Sequence, residues 1–405
     1  MDENPKFPTV SELRKRAAKA PTYENLIDLG SGYRRANQFT EAEATLKRCL
    51  EMDPTQPAGW TNAAQLYSDL GRFEQAPGLF QRALQCHEKQ GVQAAMAKTT
   101  LIGFAYSMMR LGQFKYVWPA WEASRLGRSW HPFPNMAPWR GEEVKRILVL
   151  PEGGYGDGFC FARWFPALAA RVPEVLFIVW DRVYEYARHA LSGWNIKVFP
   201  MSHQFRYAEI ADITHCTPLM SLPAVLGMQS WSDIPPQIDW TPPSQIIHPP
   251  LDQIGFCWLA EENGSQKCIR SLPIAAADQI GRFLSRRCEK VVSLCLPGKN
   301  LQAEALPFRT PRGVVQDPAA IEGWEQTART ILKCRYVVTV DTAVGHLAGS
   351  LGVPTLMLLP LRSSWQWALP GQELPPWYGP TFKAYRETNP ACWTPDAILK
   401  VLESY

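Results

Sequence analysis

The sequence predicts an all-α repeat array followed by two doubly wound α/β lobes, and three observations predict it. In the first third, aromatic and small residues recur at a period of about 34 positions. Beyond it, short β-branched apolar runs alternate with stretches of helical spacing, twice over. Two of those runs end in strand-to-helix punctuation: a glycine loop, Glu152-Gly153-Gly154-Tyr155-Gly156-Asp157-Gly158, and the pair Asp341-Thr342.

Composition sets the bounds. A chain of 405 residues, 46% hydrophobic and 20% charged, is long enough for several domains with their own cores. No apolar run approaches the roughly 20 residues of a membrane-spanning helix, so no membrane span is expected. The start, Met1-Asp2-Glu3-Asn4-Pro5, lacks the apolar core of a cleaved signal. Ten cysteines are scattered without a Cys-x-x-Cys pair, which fits reduced thiols and a cytoplasmic location. Seven histidines show no ligand spacing, and no metal or other cofactor is expected. A net charge of +4 neither requires nor forbids a nucleic-acid partner.

The repeats come first. Tyr33, Phe39, Ala42 and Pro54 sit at the signature positions of a tetratricopeptide repeat, with Leu26, Leu29 and Gly30 completing the first helix. Tyr67, Phe73 and Ala76 recur in a second unit with Trp60, Gly71, Phe80 and Ala83. A third unit follows an insertion around 87–97, where Gly112-Gln113-Phe114 matches Gly71-Arg72-Phe73 and Trp121 replaces Phe80. One helical hairpin cannot bury its own apolar face, so the units must stack, and the following domain is expected to cap the third. Trp118, Trp121 and Trp139 read as packing between domains rather than sugar contacts.

Each lobe then reads as alternating strands and helices. Runs 147–150 and 175–180 suit buried parallel strands in the first lobe, with a helix over 160–170. Runs 254–258, 291–296, 336–340 and 355–359 suit strands in the second, with helices over 275–286 and 324–333. Three Pro-Pro pairs, at 235–236, 242–243 and 249–250, mark a semi-rigid connector. The expected domains are residues 1–140 for the repeats, 141–245 for the first lobe and 246–405 for the second.

The stretch from Val337 to Pro354 carries the most chemistry. Its apolar strand stops at Asp341-Thr342, a short helix follows, and Gly352 ends that helix before Pro354 opens another strand. The first N–H groups of such a helix are unpaired and carry the positive end of its dipole, which suits a phosphate. Asp341, Thr342, Ala343, Gly345 and His346 would surround that anion. A lone helical histidine such as His346 equally suits a packed position in the lobe core.

This segment resembles the nucleotide-sugar half of bacterial glycosyltransferases related to the lipopolysaccharide heptosyltransferases, in which Asp-Thr or Asp-Ser is followed by His-Leu-Ala and Gly-x-Pro. The run from Arg146 through the glycine loop to Arg163, then Arg270-Ser271, Trp365-Gln366-Trp367 and Pro376-Trp377-Tyr378, falls in the family's order, so the resemblance covers about residues 140–390. The Trp118 to Gly141 junction resembles the join in bacterial proteins that fuse tetratricopeptide repeats to this module. The resemblance implies a GT-B arrangement of two Rossmann-like lobes and an inverting, metal-independent transfer from a nucleotide-sugar donor. The repeats would recruit a macromolecular acceptor, whether protein, glycan or modified nucleic acid.

The resemblance also implies roles. Asp157 corresponds to the acid proposed as general base, a role suited to a carboxylate partly desolvated in a cleft. Lys267 and Arg270 would stabilise the leaving diphosphate beside the helix start, although Lys267 equally reads as a solvated loop residue. Gly154 and Gly156 would let an acceptor approach the backbone, and Arg163 would bind acceptor or pair with Asp157 or Glu152. A helix cap is the plain alternative for Asp157.

The chain departs from the family at three places. Trp258-Leu259-Ala260 lacks the usual glycine, 294–298 lacks an expected glutamine, and Gln366 stands where arginine is common. Two other readings therefore stay open. One is a non-catalytic scaffold with a degenerate transferase core behind a peptide-binding repeat groove. The other is a nicotinamide-dependent enzyme using Asp181, disfavoured because the third glycine of the loop comes one residue too early for G-x-G-x-x-G.

Overall fold

The computed structural model describes residues 8–92, 97–124, 133, 136–243, 252–260, 270–295, 310–316, 322–369, 371–372, 374–390 and 392–405. Seven helices open the chain: α1 (Val10–Lys19), α2 (Tyr23–Arg35), α3 (Phe39–Met52), α4 (Pro57–Asp69), α5 (Ala76–Lys89), α6 (Lys98–Arg110) and α7 (Phe114–Ala123). The pairs α2/α3, α4/α5 and α6/α7 are the three expected hairpins, with Leu26, Leu29, Tyr33, Ala42 and Phe80 buried between them. Helix α1 was not legible from the repeat pattern; it begins at a capping box, in which Glu12 accepts the Thr9 N–H at 2.7 Å.

The first lobe contains β1 (Ala137–Pro138), β2 (Arg146–Leu150), α8 (Tyr155–Phe161), α9 (Phe165–Ala169), β3 (Glu174–Val179), α10 (Tyr184–Ala190), β4 (Ile196–Pro200), α11 (Tyr207–Ile210), β5 (His215–Pro218) and α12 (Leu222–Val225). Its sheet has the order β4-β3-β2-β5-β1 and every pairing is parallel. The helix expected over 160–170 is broken instead into α8, a 3-10 turn at Ala162–Trp164, and α9. Pro166 sits at the start of α9, where a missing N–H is tolerated.

The second lobe contains β6 (Gln253–Cys257), α13 (Ile274–Leu284), β7 (Lys290–Ser293), β8 (Val315–Gln316), α14 (Trp324–Ile331), β9 (Tyr336–Val340), α15 (Ala343–Ser350), β10 (Thr355–Leu359), β11 (Phe382–Arg386) and α16 (Pro395–Glu403). Its strands run β8-β7-β6-β9-β10-β11, all parallel, so the chain winds outward from β6 to one edge and then from β9 to the other. That reversal places a crevice at the carboxyl ends of β6 and β9. The first lobe reverses in the same way between β2 and β5, so the loops carrying Asp157 and Asp341 both leave strands at a switch point.

One continuous buried core joins the modules. Ala105, Met109, Phe114 and Trp121 of the third hairpin belong to the same cluster as Phe161, Trp365 and Trp377, whereas Leu13, Leu26 and Leu46 of the first form a separate one. The α/β module thus caps the third repeat. Trp118 Nε1 donates to Met228 O at 2.6 Å, and Phe114 packs edge-on to Trp231 at 4.7 Å, which gives the junction aromatics a packing role. Burying each such aromatic contributes about 1.5–3 kcal/mol.

The seating has its own periodicity. Each hairpin turn holds a left-handed residue, Asn37 (φ 57°), Gly71 (φ 75°) and Gly112 (φ 70°). Against this row lie Arg362, which donates to Asn37 Oδ1 at 3.2 Å, Leu361 beside Gly71, and Trp231 beside Gly112. The repeat period therefore spaces a docking edge for the segment that follows β10, at Asn37 and Gly71, and for Trp231 of the first lobe, at Gly112.

Candidate active site

Strand β2 ends at Leu150, Pro151 follows, and the chain turns at Gly153, whose φ of +73° only glycine adopts freely. The turn folds Asp157 back: its Oδ2 accepts the Gly154 N–H at 2.8 Å, capping α8. Its Oδ1 accepts Gln366 Nε2 of the second lobe at 3.0 Å. Gln366, 3% exposed, is itself fixed by Ser364 Oγ at 2.7 Å and by Trp377 Nε1, which donates to its carbonyl at 2.6 Å. One carboxylate thus both caps α8 and reaches across to the second lobe. Burial raises the Asp157 pKa above the ordinary carboxylate value, while the Gly154 N–H, the Gln366 amide and the Arg270 charge pull it back.

At the opposing wall, β9 ends in buried Asp341, whose pKa burial likewise raises against the nearby Arg270 charge. Exposed Arg270 donates Nη1 to the Asp341 carbonyl at 3.3 Å, at the carboxyl end of β9. Thr342 opens α15 in extended backbone, but its side chain makes no cap. Its Oγ1 turns to Thr339 Oγ1 at 3.1 Å and Cys257 Sγ at 3.8 Å. Among the described residues the start of α15 has no side-chain cap, the condition that an anion site at a helix N-terminus requires.

The lobes meet at Gly156. A Cβ there would lie 2.7 Å from His346 Cδ2 and 3.2 Å from the Ala343 Cα, so the glycine is what lets α8 rest on α15. Gly154 and Gly156 thus serve the turn and the lobe contact. His346 is 5% exposed, shares a 2.7 Å hydrogen bond between its Nδ1 and Tyr378 Oη, and stacks on Trp367 at 5.2 Å between ring centres. Burial, with the Arg163 and Arg270 charges, pushes its pKa down to about 3, so the ring is neutral. The ring is thus packed and hydrogen-bonded within the second lobe.

Two further positions sit differently from a ligand-facing expectation. Gly345 faces its own sheet: a Cβ would lie 2.4 Å from Met357 Cε, and its N–H goes to Thr342 O at 3.1 Å. Arg163 is 1% exposed and spends its guanidinium on three carbonyls, those of Cys160 (2.8 Å), Pro235 (3.2 Å) and Trp377 (2.6 Å), so it pins the lobes together. Lys267 and the segment 296–298 lie outside the described residues. Asp181, at the end of β3, accepts the Ser202 N–H at 2.9 Å. Sequence reasoning missed Gln366 and Tyr378 as partners of Asp157 and His346; both stand within the aromatic motifs, but nothing local reveals what they face.

Among the described residues, no cluster of three His, Cys, Asp or Glu side chains is arranged to hold a metal, and no helix is long and apolar enough to cross a membrane.

Comparison with known proteins matches residues 33–99 to the tetratricopeptide-repeat family. No curated protein matches the sequence. Among solved structures, the chain is similar to E. coli heptosyltransferase WaaC with ADP-2-deoxy-2-fluoro heptose, at 13% identity over 64% of this chain and 99% of that one, with a TM-score of 0.41. The glycosyl transferase family 9 structure from Veillonella parvula gives 11% identity over 66% and 99%, with a TM-score of 0.42. An O-GlcNAc transferase mutant from Thermobaculum terrenum gives 12% over 86% and 78%, with a TM-score of 0.31. From its own strand order and switch points, the chain joins helical hairpins, matched to the tetratricopeptide-repeat family over residues 33–99, to two doubly wound parallel α/β lobes.

Proposed function

We propose that the protein is a glycosyltransferase that moves a sugar from a nucleotide-activated donor to an acceptor brought by the repeats, with inversion and without a metal. The observation that carries the reading is the meeting of Asp157 with the uncapped α15 start across one interlobe seam, with Gly156 against Ala343 and Gln366 on Asp157. In this reading the donor diphosphate takes the first N–H groups of α15, and Arg270, the exposed cation beside them, offsets the charge that develops as the sugar bond breaks.

Asp157 is the base. Its carboxylate accepts the proton of the acceptor hydroxyl as that oxygen attacks the anomeric carbon from the face opposite the diphosphate. Gln366 orients it. A carboxylate with a pKa raised by burial is a stronger base than a free one, which suits this step.

The test is a panel of nucleoside diphosphates in calorimetry, followed by sugar transfer from the nucleotide sugar that binds. Nucleotide binding weakened in Arg270→Gln but kept in Asp157→Asn, with transfer lost in both, supports the assignment. Absence of any nucleotide binding in the intact chain would sink it and favour the scaffold reading.

A further inference from the structure

Four arginines gather where the repeats meet the segment after β10, and one carboxylate faces them. Asp69, 7% exposed at the end of α4, takes Arg34 Nη1 at 2.8 Å and Arg362 Nη1 at 3.5 Å on the same oxygen. Arg110 lies over the Phe73 ring at 4.3 Å and donates to Ser363 O. Arg386 donates to Trp367 O. Among the described residues, neither Arg110 nor Arg386 pairs with a carboxylate; burial and the Arg386 charge push the Arg110 pKa down to about 10. The buried Nε atoms of Arg34 and Arg362 have no hydrogen-bond partner there.

Buried positive charge in excess of its counter-charge is costly, and the excess is not local to one module: Arg34 and Arg110 come from the repeats, Arg362 and Arg386 from the second lobe. We propose that this seam is a binding site for a phosphate dianion, free or as a phosphomonoester, held by Arg34, Arg110 and Arg362 and bridging the repeats to the α/β module. Among the described residues the four guanidinium groups face one carboxylate and leave three positive charges, most of which a phosphate group of about −1.5 to −2 at pH 7 balances and a single carboxylate does not. The guanidinium fork matches phosphate oxygens in pairs through its terminal N–H groups. The side chains of Arg34 and Arg362 retain 18% and 13% exposure, enough for an anion to reach them. The site is separate from the α15 start and does not depend on the transferase reading.

The experiment titrates the full chain with inorganic phosphate and with glycerol 2-phosphate, against potassium chloride at matched ionic strength, following thermal stability and binding heat. The intact protein should show a saturable response that falls at least ten-fold in affinity in Arg34→Gln and in Arg362→Gln. Asp69→Asn carries the decisive sign. Removing the one carboxylate found there among the described residues should raise phosphate affinity several-fold even as it breaks two ion pairs, whereas a purely structural network would lose stability and gain no phosphate response. Tighter binding of the ester assigns the site to a phosphorylated molecule, and equal or weaker binding to phosphate itself; both support it. A response no greater than that to chloride, or one abolished by Arg270→Gln but kept in both seam variants, would overturn it.

Discussion

Gln366 of the second lobe donates its side-chain amide to Asp157 of the first over 3.0 Å, although the two stand 209 positions apart. This one bond fixes the carboxylate proposed as base from the opposite wall of the cleft. It ties the orientation of Asp157 to the seating of the second lobe. Since Gln366 belongs to the segment that also carries Arg362 to the repeat turns, a short stretch of chain touches all three modules.

Asp157→Asn should reduce sugar transfer by about 10²- to 10⁴-fold, the range of general-base catalysis, with nucleotide affinity nearly unchanged. The amide can still accept the Gly154 N–H, so the α8 cap survives. Turnover within a few-fold of the parent would return Asp157 to capping alone.

The acid limb of the kcat/KM profile should lie above the ordinary carboxylate range, because burial raises the Asp157 pKa and the base works only when ionised. Gln366→Leu removes a donor that favours the ionised form, so it should move that limb to still higher pH, and Gln366→Asn should restore part of the shift. A limb that stays in place in Gln366→Leu would show that the amide does not position the base.

His346 gives a stability prediction with a definite sign. Its pKa falls from 6.5 in the unfolded chain to about 3 in the fold, so between those values the native state binds fewer protons. Stability therefore rises with pH across that window and is lost as pH falls through it. At about 1.4 kcal/mol per unit the full contribution is several kcal/mol. Urea unfolding of His346→Gln between pH 4 and pH 7 should show a flatter pH dependence than the parent.

Arg163→Met should lower unfolding stability by about 2–5 kcal/mol, because it strands three buried carbonyls and removes a stacked cation from Trp377 and Tyr378. Denaturant titration reads this directly. A loss under about 1 kcal/mol would mean that water replaces the guanidinium.

Deleting residues 1 to about 110 tests what the repeats do. The cut removes Arg34, Asn37, Asp69 and Arg110 from the 361–364 segment, which leads straight into Gln366. Donor hydrolysis by water should therefore fall together with transfer, rather than transfer alone. Calorimetry of the intact chain should show the third hairpin melting with the lobes, since they share one core. Hydrolysis at the parent rate in a stable truncated chain would confine the repeats to acceptor binding.

Much of this architecture was local enough to be legible. Tyr33, Gly71 and Phe114 announced the hairpins because a repeat writes its packing at a fixed period. Runs such as 336–340 and 355–359 announced buried strands because parallel strands are covered on both faces. The β9 end at Asp341-Thr342 and the Gly153 turn could be read because strand, turn and helix start are neighbours in the chain.

What the sequence by itself determined, then, is which elements form and which carry a dipole or a turn towards the cleft. Only the tertiary structure decided what those side chains face: Asp157 meets Gln366, Arg163 meets Trp377, His346 becomes a neutral buried ring, Gly345 turns to its sheet, and Asp69 is shared by Arg34 and Arg362. The physical reason is range. Hydrophobic period and backbone preference act over a few residues, whereas burial, charge and hydrogen-bond partnership depend on segments that close on one another only when both lobes and the repeats have packed.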